Sequence, residues 1–136
     1  MSTTIFISGD TDNDILRKCA TVLAASPVSG DTDNNLLRKI LASLNATGAA
    51  GANPLTVFRP ADTNNNLYRK ILTRIANDLV FLGGIDSPAL RFQPADTDEN
   101  LLRKIVTWLG GIPRPGDLLN NLLRKFLTQL NAGVPH

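Results

Sequence analysis

The ten-residue stretch GDTDNNLLRK at residues 30–39 decides the fold, because it occurs five times in the chain with small changes. The other copies begin at Gly9, Ala61, Ala95 and Gly116. Each copy runs into an Arg-Lys pair and then into an apolar segment. The chain is therefore organised as five related units, and what one unit forms, the others should form too.

Each copy has the features of a helix start. The aspartate in second position is expected to be the N-cap, because its carboxylate can accept hydrogen bonds from the free N–H groups of the first turn. Three residues later, Asn34 and Glu99 occupy the reciprocal place of a capping box, which the other units fill with asparagine. Acidic residues such as Asp33 suit the positive end of the helix dipole. The predicted N-caps are Asp10, Asp31, Asp62, Asp96 and Asp117.

Apolar residues then recur at the spacing of one helical face. In the second copy they are Leu36, Leu37, Ile40, Leu41 and Leu44, an i, i+1, i+4, i+5, i+8 pattern. A helix of about 14 residues is about 21 Å long and is marginal alone in water, so its apolar stripe has to pack on something. The sequence predicts an all-α protein of five short amphipathic helices with short extended lead-in segments.

The spacing of the aspartates suggests how the helices are connected. The interval from Asp10 to Asp31 equals that from Asp96 to Asp117, but the two intervals between them are longer, whereas a regular solenoid keeps one period. The short interval leaves room for one helix and a short turn, so the first two helices are expected to form an antiparallel hairpin. We expect two hairpins around a longer central helix. The predicted helices cover residues 11–25, 32–45, 63–81, 97–109 and 118–130.

The predicted domain organisation has two parts. Residues 1–45 form an N-terminal two-helix hairpin, and residues 55–136 form a three-helix C-terminal part. Residues 46–54 are rich in glycine and alanine and are expected to be a flexible linker. The alternative is one continuous domain.

The polar face of each helix repeats the same residue types. One interpretation is recent duplication with little drift. The other, which we prefer, is a recurring contact with a neighbouring unit's backbone, a connector or another subunit, to which arginine is well suited. The candidate interface residues are Arg17, Arg38, Arg69, Arg103, Arg124, Asn35, Asn66, Asn100 and Asn121.

Three lead-ins place a phenylalanine four residues before the aspartate, at Phe6, Phe58 and Phe92. The preferred interpretation is an apolar contact that fixes how the chain enters its helix. The alternative is a short strand that pairs with another chain. Prolines in two of these lead-ins favour edge or isolated strands over a central sheet.

Composition argues against several classes of function. Ten of the 14 basic residues belong to the five Arg-Lys pairs, so no basic block indicates a nucleic-acid arm. The only histidine is His136, and no Ser/His/Asp set, His/Cys cluster or phosphate-binding glycine loop is present. The pattern Asp10-x-Asp12-x-Asp14 lacks the glycine and the distal carboxylate of a calcium loop. We therefore predict no catalytic residues, no cofactor and no metal.

Cellular location is predicted from cysteine and from hydropathy. The single Cys19 excludes an internal disulfide and lies on an apolar stripe, where it is expected to be a buried small hydrophobe. No run reaches the ~18 apolar residues of a membrane span. The N-terminus lacks the basic and apolar regions of a secretory signal. We expect a soluble protein of a reducing cytoplasm that does not bind membranes.

The phrase Gly30–Ile40 resembles a short helical repeat of structural proteins from tailed bacteriophages. The resemblance covers about ten residues per unit, and the fifth unit departs most from it, with Leu118-Leu119 in place of Thr-Asp. It implies a non-enzymatic virion component of the tail, neck or fibre region, assembled in the host cytoplasm. Its partners would be other virion proteins and further copies of itself. The alternative is a small adaptor that binds a peptide or nucleic acid on the repeated polar face.

Overall fold

The computed structural model describes residues 5–47 and 56–132, and this part of the chain is all-α. It has five α-helices and one 3₁₀ turn at Pro88–Leu90, and the described residues contain no strand. The all-α prediction is therefore confirmed. The helices are α1 (Asp12–Val22), α2 (Asp33–Thr47), α3 (Asn64–Phe81), α4 (Asp98–Trp108) and α5 (Leu119–Ala132).

The helix starts lie one residue later than predicted. Thr11, Thr63 and Thr97 are the N-caps of α1, α3 and α4, and each side chain accepts from the N–H of the third helical residue. Thr32 makes the same bond to Asn35 at the start of α2. The assignment of the N-cap to the preceding aspartate was wrong, because each carboxylate is held by other donors. The displaced residues are Asp10, Asp31, Asp62, Asp96 and Asp117.

The five helices form a closed ring. Each helix packs against two others: consecutive helices are neighbours, and α5 packs against α1. The expected pair of hairpins around a central helix was wrong, since α3 contacts only α2 and α4 among the helices described. The predicted boundary at residues 46–54 falls between two ring neighbours, α2 and α3. Residues 48–54 of the predicted linker lie outside the described part, and Ala46 and Thr47 belong to α2.

Neighbouring helices begin side by side. The second residue of α1, Asn13, is hydrogen-bonded to the first residue of α2, Asp33, at 2.8 Å. An antiparallel hairpin would place the end of α1 at the start of α2, so that prediction was wrong. Each connector instead carries the chain back to the end of the ring where the helices start. We use "unit" for a lead-in and the helix that follows it.

The core lies inside the ring and is made by the predicted apolar stripes. In α2 all five predicted stripe residues are buried, and the other helices contribute equivalent sets. Tyr68 stands where the other units have leucine and is also buried. Burial raises the pKa of its hydroxyl, and the carboxylates of Asp98 and Asp33 raise it further. The stripes predicted for α1, α3 and α4 end in residues that are only partly buried, namely Val22, Leu23, Leu79 and Leu109.

Candidate functional site: the clamps between successive helices

Each lead-in is fastened to its own helix by an aspartate. In the second unit, Asp31 Oδ2 accepts from the Val28 backbone N–H at 2.9 Å and from Lys39 Nζ at 2.6 Å. The hydrogen bond from Lys39 lowers the pKa of the Asp31 carboxyl, and the bond from Val28 adds to this. All five units contain this ion pair, with Nζ–Oδ2 distances of 2.5 to 2.7 Å.

At four of the five junctions an asparagine joins one helix to the next. Asn13 Nδ2 donates to the carboxylate of Asp33 at 2.8 Å and to the backbone carbonyl of Asp31 at 3.3 Å. Equivalent bonds recur at three further junctions, through the second residue of α2, α3 and α5. Those residues are Asn34, Asn65 and Asn120.

An arginine completes the clamp. Arg17 Nε donates to Asn13 Oδ1 at 2.8 Å, and its two terminal nitrogens donate to carbonyls of the following lead-in. Those carbonyls belong to Val28, Ser29 and Asp31, at 2.6 to 2.9 Å. The asparagine thus holds the next helix and orients the arginine, and the arginine holds the next lead-in. We call this asparagine–arginine pair the inter-unit clamp.

The clamp also closes the ring. Asn120 donates to the Asp12 carboxylate at 2.8 Å and to the Asp10 carbonyl at 3.2 Å. Arg124 reaches the Ser8 carbonyl at 3.3 Å. These are the bonds made at the other junctions, but here no connector in the described chain joins the two helices. The fifth unit is therefore bound to the first by the chemistry that binds neighbours along the chain.

The junctions are of two kinds, set by one residue of the lead-in. Where that residue is phenylalanine, the arginine of the preceding unit lies over the ring, with 4.9 to 5.3 Å from guanidinium carbon to ring centroid. Where it is proline, at Pro27 and Pro113, the arginine takes a third carbonyl instead. The predicted role of the phenylalanines, fixing the entry of the chain into its helix, therefore includes a contact with the preceding unit. The arginine–phenylalanine pairs are Arg38–Phe58, Arg69–Phe92 and Arg124–Phe6.

The junction between α4 and α5 departs from this pattern on both sides. Glu99 stands where the clamp has asparagine, and it has no N–H to donate. Leu119 stands where the other helices offer an aspartate or asparagine acceptor. Arg103 still binds the carbonyls of Arg114, Pro115 and Asp117 at 2.6 to 3.1 Å. Donor and acceptor have thus been replaced together, which leaves neither one unpaired in a buried contact.

The predicted interface residues fall into two groups. All five arginines contact the lead-in of the next unit, which was one of the contacts considered from the sequence. The four asparagines instead accept, through Oδ1, from the N–H of the N-cap residue of their own helix. They are Asn35, Asn66, Asn100 and Asn121.

Sequence reasoning missed the asparagines that join the helices. It assigned them to capping boxes because the N-cap was placed one residue too early. The threonine that follows the aspartate in four of the five units was the signal that could have corrected the register.

One buried ion pair lies outside the repeat. Arg74 and Asp78 of α3 are an i, i+4 pair, and both residues are buried. Arg74 Nη1 also donates to Asn45 Oδ1 at 3.1 Å, which ties α3 to the end of α2. α2 and α3 are longer than α1 and α4, and this ion pair joins the two longer helices near the end of α2.

The structure bears on other candidate sites as well. Cys19 is fully buried, and burial raises the pKa of its thiol. In the part of the chain that the structure covers, His, Cys, Asp and Glu side chains form no group of three that could hold a metal ion. No helix there has the length and apolarity to cross a membrane.

Comparison with known protein families, with curated proteins and with solved structures gives no match.

Proposed function

We propose that this protein is a non-enzymatic structural component of a multi-subunit assembly, most simply a bacteriophage virion protein of the tail, neck or fibre region. It would act by docking to other virion proteins or to further copies of itself. The observation that carries the proposal is the use made of the repeated polar residues. The aspartates and lysines fasten each lead-in to its own helix, and the asparagines and arginines bind one unit to the next, so the repeated polar residues have a structural role.

The outer surface supports docking. Several large apolar side chains lie exposed on the lead-ins, and a second group lies at and beyond the end of α3, where Phe81 is 69% and Ile85 is 90% exposed. These exposed apolar side chains are available for burial against a partner, which is favourable because it removes apolar surface from water. The exposed lead-in residues are Ile5, Ile7, Val28, Val57 and Ile112.

The first test is the molar mass of the purified chain, measured by light scattering after size exclusion over a range of concentrations. We expect a defined multiple of 14.7 kDa, or a monomer that is recovered in fixed copy number with purified virions. A monomer at every concentration that is also absent from virions would contradict the proposal.

The second candidate function is a small adaptor that binds an acidic peptide. The observation that favours it is that three of the five clamp arginines keep a terminal nitrogen that bonds to none of the described residues. Salt-insensitive self-association would favour the structural proposal, whereas binding of an acidic peptide that weakens with added salt would favour the adaptor. Steeply salt-dependent binding to nucleic acid would instead favour a phosphate-binding adaptor.

A further inference from the structure

The clamp arginines differ in how many of their nitrogens are used. At the proline junctions, Nη1 of Arg17 and Arg103 donates to a lead-in carbonyl at 2.6 Å. At the three phenylalanine junctions the clamp bonds come from Nε and Nη2 alone, and Nη1 bonds to no residue of the described chain. The three arginines with a free Nη1 are Arg38, Arg69 and Arg124.

A second donor lies three residues before each of these arginines, on the same helix. The Oδ1 atom of Asn66 accepts from the Thr63 N–H and hydroxyl, both at 3.0 Å, so the amide orientation is fixed and Nδ2 is left as an exposed donor. Asn66 and Arg69 are three residues apart on α3, which makes them neighbours on the helix surface. Asn35 and Arg38 repeat this arrangement. Asn121 and Arg124 have the same spacing, but Asn121 Oδ1 accepts from the Leu118 N–H alone, because leucine has no hydroxyl.

A cavity accompanies this donor pair at the junction between α3 and α4. It has a volume of about 170 Å³ and is lined by Asn66, Arg69, Lys70 and Phe92. Phe92 supplies an apolar wall beneath the guanidinium. A ligand with a short aliphatic stem and a planar anionic end would match both parts of the lining.

The charges around the cavity favour a carboxylate as the bound anion. Lys70 is paired with the Asp62 carboxylate at 2.6 Å and also donates to the Val57 carbonyl at 2.9 Å, whereas the partners of Arg69 among the described residues are neutral. A single guanidinium edge beside an amide suits a planar carboxylate, which accepts two parallel hydrogen bonds. Nucleic-acid binding depends on many uncompensated cations, and the Lys–Asp pair of every unit removes one of its two basic charges.

We propose that these three Asn–Arg–Phe sites, which we call carboxylate cradles, bind acidic side chains of a protein partner. The cradles are Asn35–Arg38–Phe58, Asn66–Arg69–Phe92 and Asn121–Arg124–Phe6. The naming of a protein partner rests on the proposed function, but carboxylate binding by the cradles does not. The proline junctions lack the free Nη1 and bind no carboxylate.

The test uses the full-length chain labelled with ¹⁵N and titrated with propionate, which has the structure of a glutamate side chain. We expect saturable shifts of the cradle Asn Nδ2 and Arg Nε signals, with a Kd on the order of 10 mM for one charge-assisted pair of bonds. Signals of Arg17 and Arg103 should stay in place, and the neutral isostere propionamide should shift nothing. Equal shifts of all five arginines, or no shift of any, would overturn the proposal.

Asn66→Asp is the matched variant. Unit one has Asp14 at this position with an intact capping box, so the variant should fold. It removes the amide donor and adds a negative charge, and we expect at least a fivefold weaker propionate response at Arg69 with Arg38 unchanged in the same molecule. An unchanged response at Arg69 would contradict the cradle. Phe92→Pro, which copies the proline junctions, is the second variant and should abolish the response by giving Nη1 a carbonyl partner.

A titration with inorganic phosphate tests whether the cradles bind phosphate ligands instead of carboxylates. Phosphate that competes with propionate and binds the cradles more tightly would assign them to phosphate ligands and overturn the choice of an acidic protein partner. A failure of propionate binding would leave the light-scattering test of the proposed function unaffected.

Discussion

Asparagine is needed at the clamp because it both donates and accepts. Its Oδ1 receives Arg Nε while its Nδ2 reaches the next helix, and no carboxylate can do both. At Asn65 the two contacts are 2.7 Å to Arg69 and 2.8 Å to the Asp98 carboxylate. The choice of residue at this position is therefore dictated by chemistry on two neighbouring units at once.

Replacing Asn65 with aspartate should break the junction between α3 and α4. The variant keeps the acceptor for Arg69 but sets a carboxylate against Asp98, and we expect a loss of about 2 kcal/mol of unfolding free energy. Urea denaturation measures it. The adjacent Asn66→Asp is the control and should stay within about 0.5 kcal/mol of the parent. Equal losses for both variants would contradict a stabilising role of the Asn65 bonds at this junction.

The Lys–Asp pairs predict how stability depends on pH. The folded pKa of Asp31 is lowered below its ordinary value of 3.8, chiefly by the bond from Lys39. Its contribution is therefore fully present above the unfolded pKa and is lost as the pH falls through the folded pKa. Asp31→Asn should be less stable than the parent at pH 7, and the difference should shrink below pH 4 in urea titrations. A constant difference would contradict this assignment.

At the level of the element, the sequence predicted where the helices are better than it predicted how neighbouring helices are arranged. The apolar period and polar starts located all five helices, because those signals are local to one unit. The off-by-one cap arose because aspartate and threonine both favour N-caps, and the aspartate was chosen although a threonine follows it in four of the five units. The orientation of neighbouring helices could not be read from connector length, because even the shortest connectors suffice both for a turn and for a return path.

The start of α5 is the one α-helix start among the described residues without a threonine N-cap. Leu118 occupies the N-cap position and has no side-chain oxygen, although its N–H still donates to Asn121 Oδ1 at 3.2 Å. Leu118→Thr should complete the capping box found in the other units and stabilise the protein by about 1 kcal/mol. Thermal unfolding followed by circular dichroism tests this. Thr63→Ala should cost a similar amount, and a lack of effect in both would argue against the caps.

For the buried Arg74–Asp78 pair of α3 we predict a large loss of stability when one partner is removed and a small loss when both are replaced. Asp78→Ala leaves the fully buried Arg74 without its main partner and should cost about 3–5 kcal/mol. The double variant Arg74→Met with Asp78→Leu removes both charges and should cost far less, since apolar replacements of such pairs are often neutral. Urea unfolding of the three proteins decides; similar losses would mean that the charges are not the cause.

For the whole molecule, the sequence did not reveal that the five helices close into a ring. Unequal intervals between the aspartates concealed a ring of five junctions that share the arginine contact, because the extra length goes into α2, α3 and the connectors that follow them. Asn120 and Arg124 look like any other clamp in the sequence, and nothing local shows that their partners belong to the first unit. That pairing depends on the path of all five helices around the ring.

A circular permutant should therefore fold. Joining His136 to Met1 creates a connector between the end of α5 and Asp10 that is longer than the one after α1 and shorter than the one after α2. With new termini opened between Gly51 and Ala52, we expect the same helical content and cooperative thermal unfolding by circular dichroism. A permutant with new termini inside α4, between Lys104 and Ile105, is the control and should be strongly destabilised. A permutant opened at Gly51 that is unfolded would contradict equivalent junctions.

Closure also shapes the order in which the native state is reached. Four junctions join helices that are adjacent in the chain, so they can form early, as local contacts do in fast-folding helical proteins. The bonds from Asn120 and Arg124 join parts of the chain that are far apart in sequence, and bringing such distant parts together requires a large loss of chain entropy. Docking of the last helix on the first should therefore be the late step, and substitutions at that seam should accelerate unfolding while leaving the folding rate nearly unchanged.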